Sequence, residues 1–151
     1  MRSGFCEVII NRSGLTTMEK EKSMPEKTDP IIIEAAGMRM TVDYRQGVGG
    51  DEGLTFDITV AGAAEAGKRI LRFDCFKKTP HYHIGPSGKY PVHDMKGEGI
   101  DDPVRWSLEQ LKTRFPAMVR EAGYEEIANR IDQKSIAEDL CRVERDIFLK
   151  L

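Results

Sequence analysis

The sequence predicts an α+β domain in which an antiparallel sheet comes first and helices follow it. Two observations carry this prediction. Between residues 31 and 84, apolar and polar side chains alternate, which is typical of strands with one buried and one solvated face. After residue 103, the apolar side chains are spaced by three and four, which is typical of amphipathic helices that pack on one face of a sheet.

The strand prediction rests on several short segments in which the alternation is strict. These are Met38–Arg45, Leu54–Ala61, Arg69–Phe76 and His81–Ile84, with a weaker strand at Ile31–Ala35 before them. The connection Gln46–Gly53 contains four glycines and predicts a hairpin loop, without the residue spacing of a phosphate-binding loop. We therefore expect an antiparallel meander of about four strands.

Two or three helices are expected after the sheet, packed on its apolar face. The first apolar stripe consists of Val104, Leu108, Leu111, Phe115, Met118 and Ala122. Ser107 and Gln110 form a capping-box pattern that predicts the start of this helix. Pro116 predicts a kink or a restart within it. Ser135 predicts the start of the last helix in the same way.

The charge distribution along the chain predicts a single folded domain. Residues 18–29 carry seven charges in twelve positions, which favours a solvated segment over a packed one. We predict that residues 1–30 form a disordered or weakly ordered N-terminal segment and that residues 31–151 form one α+β domain.

The composition excludes several classes of protein. The 23 basic and 25 acidic residues nearly balance, so bulk charge does not indicate a strongly basic nucleic-acid binder. No apolar run approaches the length of about 18 residues that a membrane-spanning helix needs. The three cysteines (Cys6, Cys75 and Cys141) are widely spaced and odd in number, which predicts a reduced, cytoplasmic protein.

Two histidines mark the candidate functional site. His81 and His83 lie two residues apart on a predicted strand, so their imidazoles share one face at a separation of about 6–7 Å. The alternation places six charged residues on the same face of the sheet: Arg39, Asp43, Arg45, Asp57, Arg72 and Asp74. Such residues are often only solvating cross-strand pairs, and the two histidines are then ordinary surface residues. We favour a functional interpretation because the chain has only three histidines.

The leading hypothesis is metal-free RNase-type chemistry on this face, with RNA as the partner and no cofactor. His81 and His83 are then the general acid and base, and Asp74 is the carboxylate that orients them. The expected substrate-binding residues are Arg72 and Lys77 for a phosphate group and Tyr82 for stacking on a base.

Two other hypotheses stay open. In the first, the site binds Zn²⁺, Fe²⁺ or Mn²⁺ through His81, His83, Asp74 and His93, the last from a loop that folds over the sheet. In the second, the domain is a non-catalytic module that binds a partner protein. A homodimer in which a second copy covers the polar face is also compatible with the pattern.

The segment 69–118 resembles the TumE-type toxins of small bacterial toxin–antitoxin pairs. The resemblance rests on Leu71-Arg72-Phe73-Asp74, on Pro80-His81-Tyr82-His83 and on Trp106–Leu111, and it covers about fifty residues. It implies a small toxin that acts on RNA and is held inactive by an antitoxin protein. The residues that the resemblance would assign to the site are Arg72, Asp74, His81 and His83.

Overall fold

A computed structural model describes residues 29–62, 67–85 and 91–150. Most of the N-terminal segment that the sequence analysis singled out, residues 1–28, lies outside this range. The described residues contain a sheet followed by helices, which confirms the predicted α+β class.

One antiparallel sheet contains all the described strands, and each strand pairs with the next one along the chain. The strands are β1 (Ile31–Ala35), β2 (Met38–Val48), β3 (Asp51–Val60), β4 (Arg69–Phe76), β5 (His81–Ile84) and β6 (Val92–Asp94). The predicted meander is confirmed, but with six strands where about four were expected. The missed strand is β6, because three residues are too few to show an alternation.

The glycine-rich segment between β2 and β3 is shorter as a loop than predicted. The end of β2 and the start of β3 occupy most of the predicted loop Gln46–Gly53, so that only Gly49 and Gly50 form the turn. Their φ angles are 59° and 84°, which is the left-handed pair that a two-residue type I′ hairpin turn requires. The sheet therefore extends well beyond Arg45, with a register shift between Arg45 and Val48.

Four helices follow the sheet, where two or three were expected. They are α1 (Pro103–Thr113), α2 (Phe115–Glu121), α3 (Glu125–Arg130) and α4 (Gln133–Lys150). The break between α1 and α2 confirms the restart predicted at Pro116. The capping predictions were wrong: Asp102 accepts a hydrogen bond from the Arg105 amide (3.2 Å) and Asp132 one from the Ser135 amide (3.3 Å). Both helices thus begin before the predicted serines.

The hydrophobic core lies between the helices and one face of the sheet. Its strand residues include Met40, Val42, Phe56, Ile58 and Phe73 of the predicted apolar set. Ile70 is also in the core, although the alternation along β4 predicted it on the other face. The helices contribute Leu108, Leu111, Phe115, Met118, Leu140 and Val143. The other face of the sheet is therefore the one on which the polar side chains lie.

Two further expectations concern the cysteines and the membrane. Cys75 is free and buried. Cys6 lies outside the described residues. In the described part of the chain, no helix has the length and apolar character needed to cross a bilayer.

Candidate functional site

The candidate site is formed by neighbouring rows of side chains on the polar face of β4 and β5. In the antiparallel register, Asp74 lies opposite His81 and Arg72 lies opposite His83. The alternation of each strand turns all four side chains to one face, as the sequence analysis expected. The imidazole rings of His81 and His83 are 5.0 Å apart and nearly perpendicular to each other.

The carboxylate of Asp74 is the centre of this group. Its Oδ2 atom lies 3.2 Å from Nε2 of His81 and 3.5 Å from Nε2 of His83. Its Oδ1 atom lies 3.1 Å from Nε of Arg72 and 3.6 Å from Nη1 of Arg45. Only 4% of the Asp74 side chain is exposed, so these four groups replace most of its contact with water.

The surroundings keep Asp74 ionised. Burial by itself would raise the pKa of Asp74, but hydrogen bonds from His81 and His83 and the charge of Arg72 hold it well below its usual range. In return, the hydrogen bond to Asp74 raises the pKa of His81, against the opposing effect of burial. The site is thus a buried anion surrounded by basic side chains.

A backbone carbonyl group determines the orientation of His81. Nδ1 of His81 lies 2.8 Å from the carbonyl oxygen of Thr79. Since a carbonyl oxygen only accepts hydrogen bonds, Nδ1 must carry the proton and donate it. Nε2 then faces the Asp74 oxygen either as the second N–H of an imidazolium or with a lone pair directed at a shared cation.

Asp51, which the sequence analysis did not select, holds the Thr79 backbone in place. Its carboxylate accepts hydrogen bonds from the amides of Lys78 (2.9 Å) and Thr79 (2.8 Å) and from the Thr79 hydroxyl (3.0 Å). Burial opposes ionisation, but these hydrogen bonds lower the pKa of Asp51 to about 2. Asp51 therefore fixes the loop whose carbonyl orients His81.

Arg45 is the second residue whose role the sequence did not reveal. It belongs to β2, two strands away from Asp74, and its partner on the intervening strand β3 is Gly53. Because Gly53 has no side chain, the guanidinium of Arg45 extends across β3 to Asp74. The alternation predicted the face of Arg45 correctly, but the register that places it beside a glycine had no signal in the sequence.

Two predicted substrate-binding residues lie elsewhere. Nζ of Lys77 lies 3.1 Å from a carboxylate oxygen of Glu52 and has no described contact with Asp74. Tyr82 is on the opposite face of the sheet, 8% exposed, with its ring stacked between Phe73 and His93. The expectation that Tyr82 stacks on an RNA base is wrong, because the alternation of β5 turns its ring into the core.

His93 also lies on the wrong face for the metal hypothesis as first stated. Strand β6 pairs His93 with Tyr82, and the two rings stack at 4.5 Å. Nδ1 of His93 lies 3.5 Å from a carboxylate oxygen of Glu98. The loop expected to carry His93 over the sheet is instead an edge strand, and His93 is not a partner of His81 and His83.

The remaining candidate ligands converge on one point. Asp74, His81 and His83 each offer one ligand atom, and these atoms lie within 4.8 Å of one another. Ligand atoms about 2.1 Å from a tetrahedral Zn²⁺ ion are about 3.4 Å from each other. The Asp74–His81 and Asp74–His83 distances of 3.2 and 3.5 Å are close to that value.

Comparison with known proteins identifies the family of this chain. A family model described as "Domain of unknown function (DUF7700)" matches residues 32–147. The chain belongs to this family. The matched range includes Arg45, Asp74, His81 and His83, so the candidate site lies within the DUF7700 domain. Neither the search of curated proteins nor the search of solved structures found a match.

Proposed function

We propose that this protein binds one divalent transition-metal ion, with zinc as the expected ion, through Asp74, His81 and His83. The observation that carries the proposal is the convergence of two Nε2 atoms on a single oxygen of Asp74, at 3.2 and 3.5 Å. A carboxylate with two imidazoles is a ligand set that holds zinc in proteins.

The hydrogen bond of His81 supports a cation at this position. With Nδ1 donating to Thr79, the neutral imidazole directs an Nε2 lone pair at the Asp74 oxygen 3.2 Å away. Two lone pairs at that distance repel each other unless a proton or a metal ion lies between them, and a bound metal ion would take the place of the imidazolium proton. Metal-binding histidines in proteins commonly donate their second ring N–H to a backbone carbonyl, as His81 does here.

The environment favours a reactive metal centre over a structural one. Three protein ligands leave one tetrahedral position open, whereas structural zinc sites are closed by four. The side chains of His81 and His83 are 25% and 19% exposed, so a small molecule can approach from the solvent side. The hydrophobic core lies on the other face of the sheet and does not depend on the ion.

The metal-free RNase hypothesis uses the same histidines but has less support from this geometry. Both imidazoles face the same carboxylate oxygen, whereas an acid and a base would flank the scissile bond of a substrate. Lys77 is engaged by Glu52, and Tyr82 is in the core. The toxin activity, the RNA substrate and the antitoxin partner stay predictions.

Elemental analysis and zinc titration of the untagged full chain test the proposal. We expect about one zinc ion per chain in the wild type and none in the His81→Ala/His83→Ala double variant. We expect Asp74→Asn to weaken zinc binding by at least about tenfold, because the replaced oxygen is a direct ligand. Circular dichroism shows whether each variant is folded, and His81→Gln replaces the double variant if the latter is not.

His93→Ala is the matched control for these variants. It also removes an imidazole from the end of the sheet, but from the opposite face, so zinc binding should not change. A folded wild type that binds no zinc in the titration would overturn the proposal. A folded double variant that binds zinc as tightly as the wild type would overturn it as well.

A further inference from the structure

We infer that the open position of this metal centre takes a phosphate group, with Arg45 and Arg72 binding its remaining oxygens. The inference rests on the proposed zinc site and adds the chemical class of its ligand. It is carried by two guanidinium groups that lie 3.1 and 3.6 Å from Oδ1 of Asp74, the carboxylate oxygen that does not face the histidines.

Arg72 uses only part of its hydrogen-bonding capacity on Asp74. Its Nε atom donates to Oδ1 of Asp74 at 3.1 Å. A guanidinium has five N–H donors, and within residues 29–62, 67–85 and 91–150 no hydrogen bond from Nη1 or Nη2 of Arg72 is observed. Its side chain is 23% exposed, so these donors are accessible to a ligand from solvent.

Arg45 brings a second positive charge, which among the described residues is held by an ion pair with Asp74 and not by a hydrogen bond. Its Nη1 atom is 3.6 Å from Oδ1 of Asp74, which is longer than a hydrogen bond, and its side chain is 35% exposed. The other arginine on the same face of β2, Arg39, differs in this respect. Arg39 donates to Glu34 through Nε at 2.7 Å, so its charge is already paired.

The charges on this face favour an anionic ligand once the ion is bound. Apart from the Arg39–Glu34 pair, β2 to β5 carry three arginines and four aspartates there: Arg45, Arg69, Arg72, Asp43, Asp51, Asp57 and Asp74. With neutral histidine ligands, a divalent ion turns this excess of one negative charge into an excess of one positive charge. A phosphate monoester or inorganic phosphate is a negatively charged ligand at neutral pH.

Phosphate also fits the number and arrangement of the donors better than a carboxylate does. Three positively charged groups would then lie around Asp74: the proposed ion at Oδ2, and Arg45 and Arg72 at Oδ1. A phosphate group offers three or more oxygens in different directions, one for each of these groups, whereas a carboxylate has two oxygens in one plane. Guanidinium groups bind such oxygens with paired N–H donors.

Calorimetric titration of the zinc-loaded full chain tests the inference with inorganic phosphate and phenyl phosphate as ligands and acetate as the comparison anion. We expect both phosphates to bind more tightly than acetate. Tighter binding of the ester would identify a phosphate monoester as the preferred source, and equal or tighter binding of the free ion would identify inorganic phosphate. Arg45→Gln should weaken phosphate binding by about tenfold or more, since it removes a charged donor.

Arg39→Gln is the matched control, because it makes the same change on the same face of β2 at an arginine that is already paired. It should leave phosphate affinity unchanged, and all three proteins should hold the same amount of zinc. Equal phosphate affinity in Arg45→Gln and wild type, or no phosphate binding by the zinc-loaded wild type, would overturn the inference. A wild type without zinc is a separate result, which overturns the proposed function itself.

Discussion

Each face of β4 contains a buried side chain, but the chemistry around the two side chains is opposite. On one face, Phe73 is fully buried and its ring contacts Phe56, Tyr82 and Trp106. One residue along the strand, Asp74 is 3% exposed on the other face and is surrounded by charged and polar groups. Burial therefore does not distinguish Phe73 from Asp74. The nature of the partners does.

The difference predicts where substitutions affect stability and where they affect binding. Apolar burial is non-directional and scales with area, so changes on the helix-covered face should lower stability. Hydrogen bonds and ion pairs on the polar face are directional. Substitutions there should therefore change ligand binding and the pH dependence of stability more than they change the packing of the core. The three predictions below test this separation.

Phe73→Ala should have the largest effect on stability. Phe73 is fully buried, and its removal leaves a cavity between the sheet and α1, which we expect to cost about 3–5 kcal/mol of unfolding free energy. Phe148→Ala on α4 makes the same change at a side chain that is 42% exposed, and it should cost about 1 kcal/mol or less. Urea unfolding measures both. Equal losses would show that the apolar face does not dominate stability.

Gly53→Ala should have the next largest effect, because this position couples the two faces. A Cβ atom at Gly53 would lie 2.2 Å from the backbone oxygen of Cys75, so β3 and β4 must move apart. We expect a loss of about 1–3 kcal/mol. Arg45 reaches Asp74 across this position, so phosphate affinity should fall as well.

Gly62→Ala provides the control for this prediction. A Cβ atom at Gly62 would have no atom of the described residues within 4 Å, and Gly62 has no positive φ angle, so alanine should be tolerated within about 0.5 kcal/mol. Thermal unfolding compares the two variants. If they unfold at the same temperature, the close contact between β3 and β4 is not a constraint on the sheet.

Much of the fold was predictable because the alternation of side chains along a strand is a local property, and it determines on which face of the sheet each side chain lies. The alternation placed Phe73 in the core and Asp74 on the polar face without knowledge of the neighbours. The contacts of a side chain with residues on neighbouring strands were not predictable, since they depend on the register between the strands. The pairing of His93 with Tyr82, the reach of Arg45 across Gly53 and the contact of Asp51 with the β4–β5 loop are all properties of the register.

The smallest of the three effects is a change in the pH dependence of stability. We expect this change for a substitution on the polar face but not for one in the core. The pKa of Asp51 is lowered to about 2 in the folded protein, against about 3.9 in an unfolded chain. A lowered pKa means that the carboxylate contributes stability above about pH 4, and that this contribution is lost as the pH falls towards about 2. Asp51→Asn should therefore be less stable than the wild type at pH 7, with a difference that shrinks on acidification.

Thermal unfolding from about pH 7 to about pH 2.5 measures this difference. Asp101→Asn is the matched control, since Asp101 is exposed and makes no described hydrogen bond, and it should follow the wild type at each pH. The stability of Phe73→Ala should be lower than that of the wild type by a nearly constant amount at every pH, because the lost Phe73 side chain does not titrate. If the Asp51→Asn difference also stayed constant, ionised Asp51 would not be what holds the β4–β5 loop, and the orientation of His81 would need another cause.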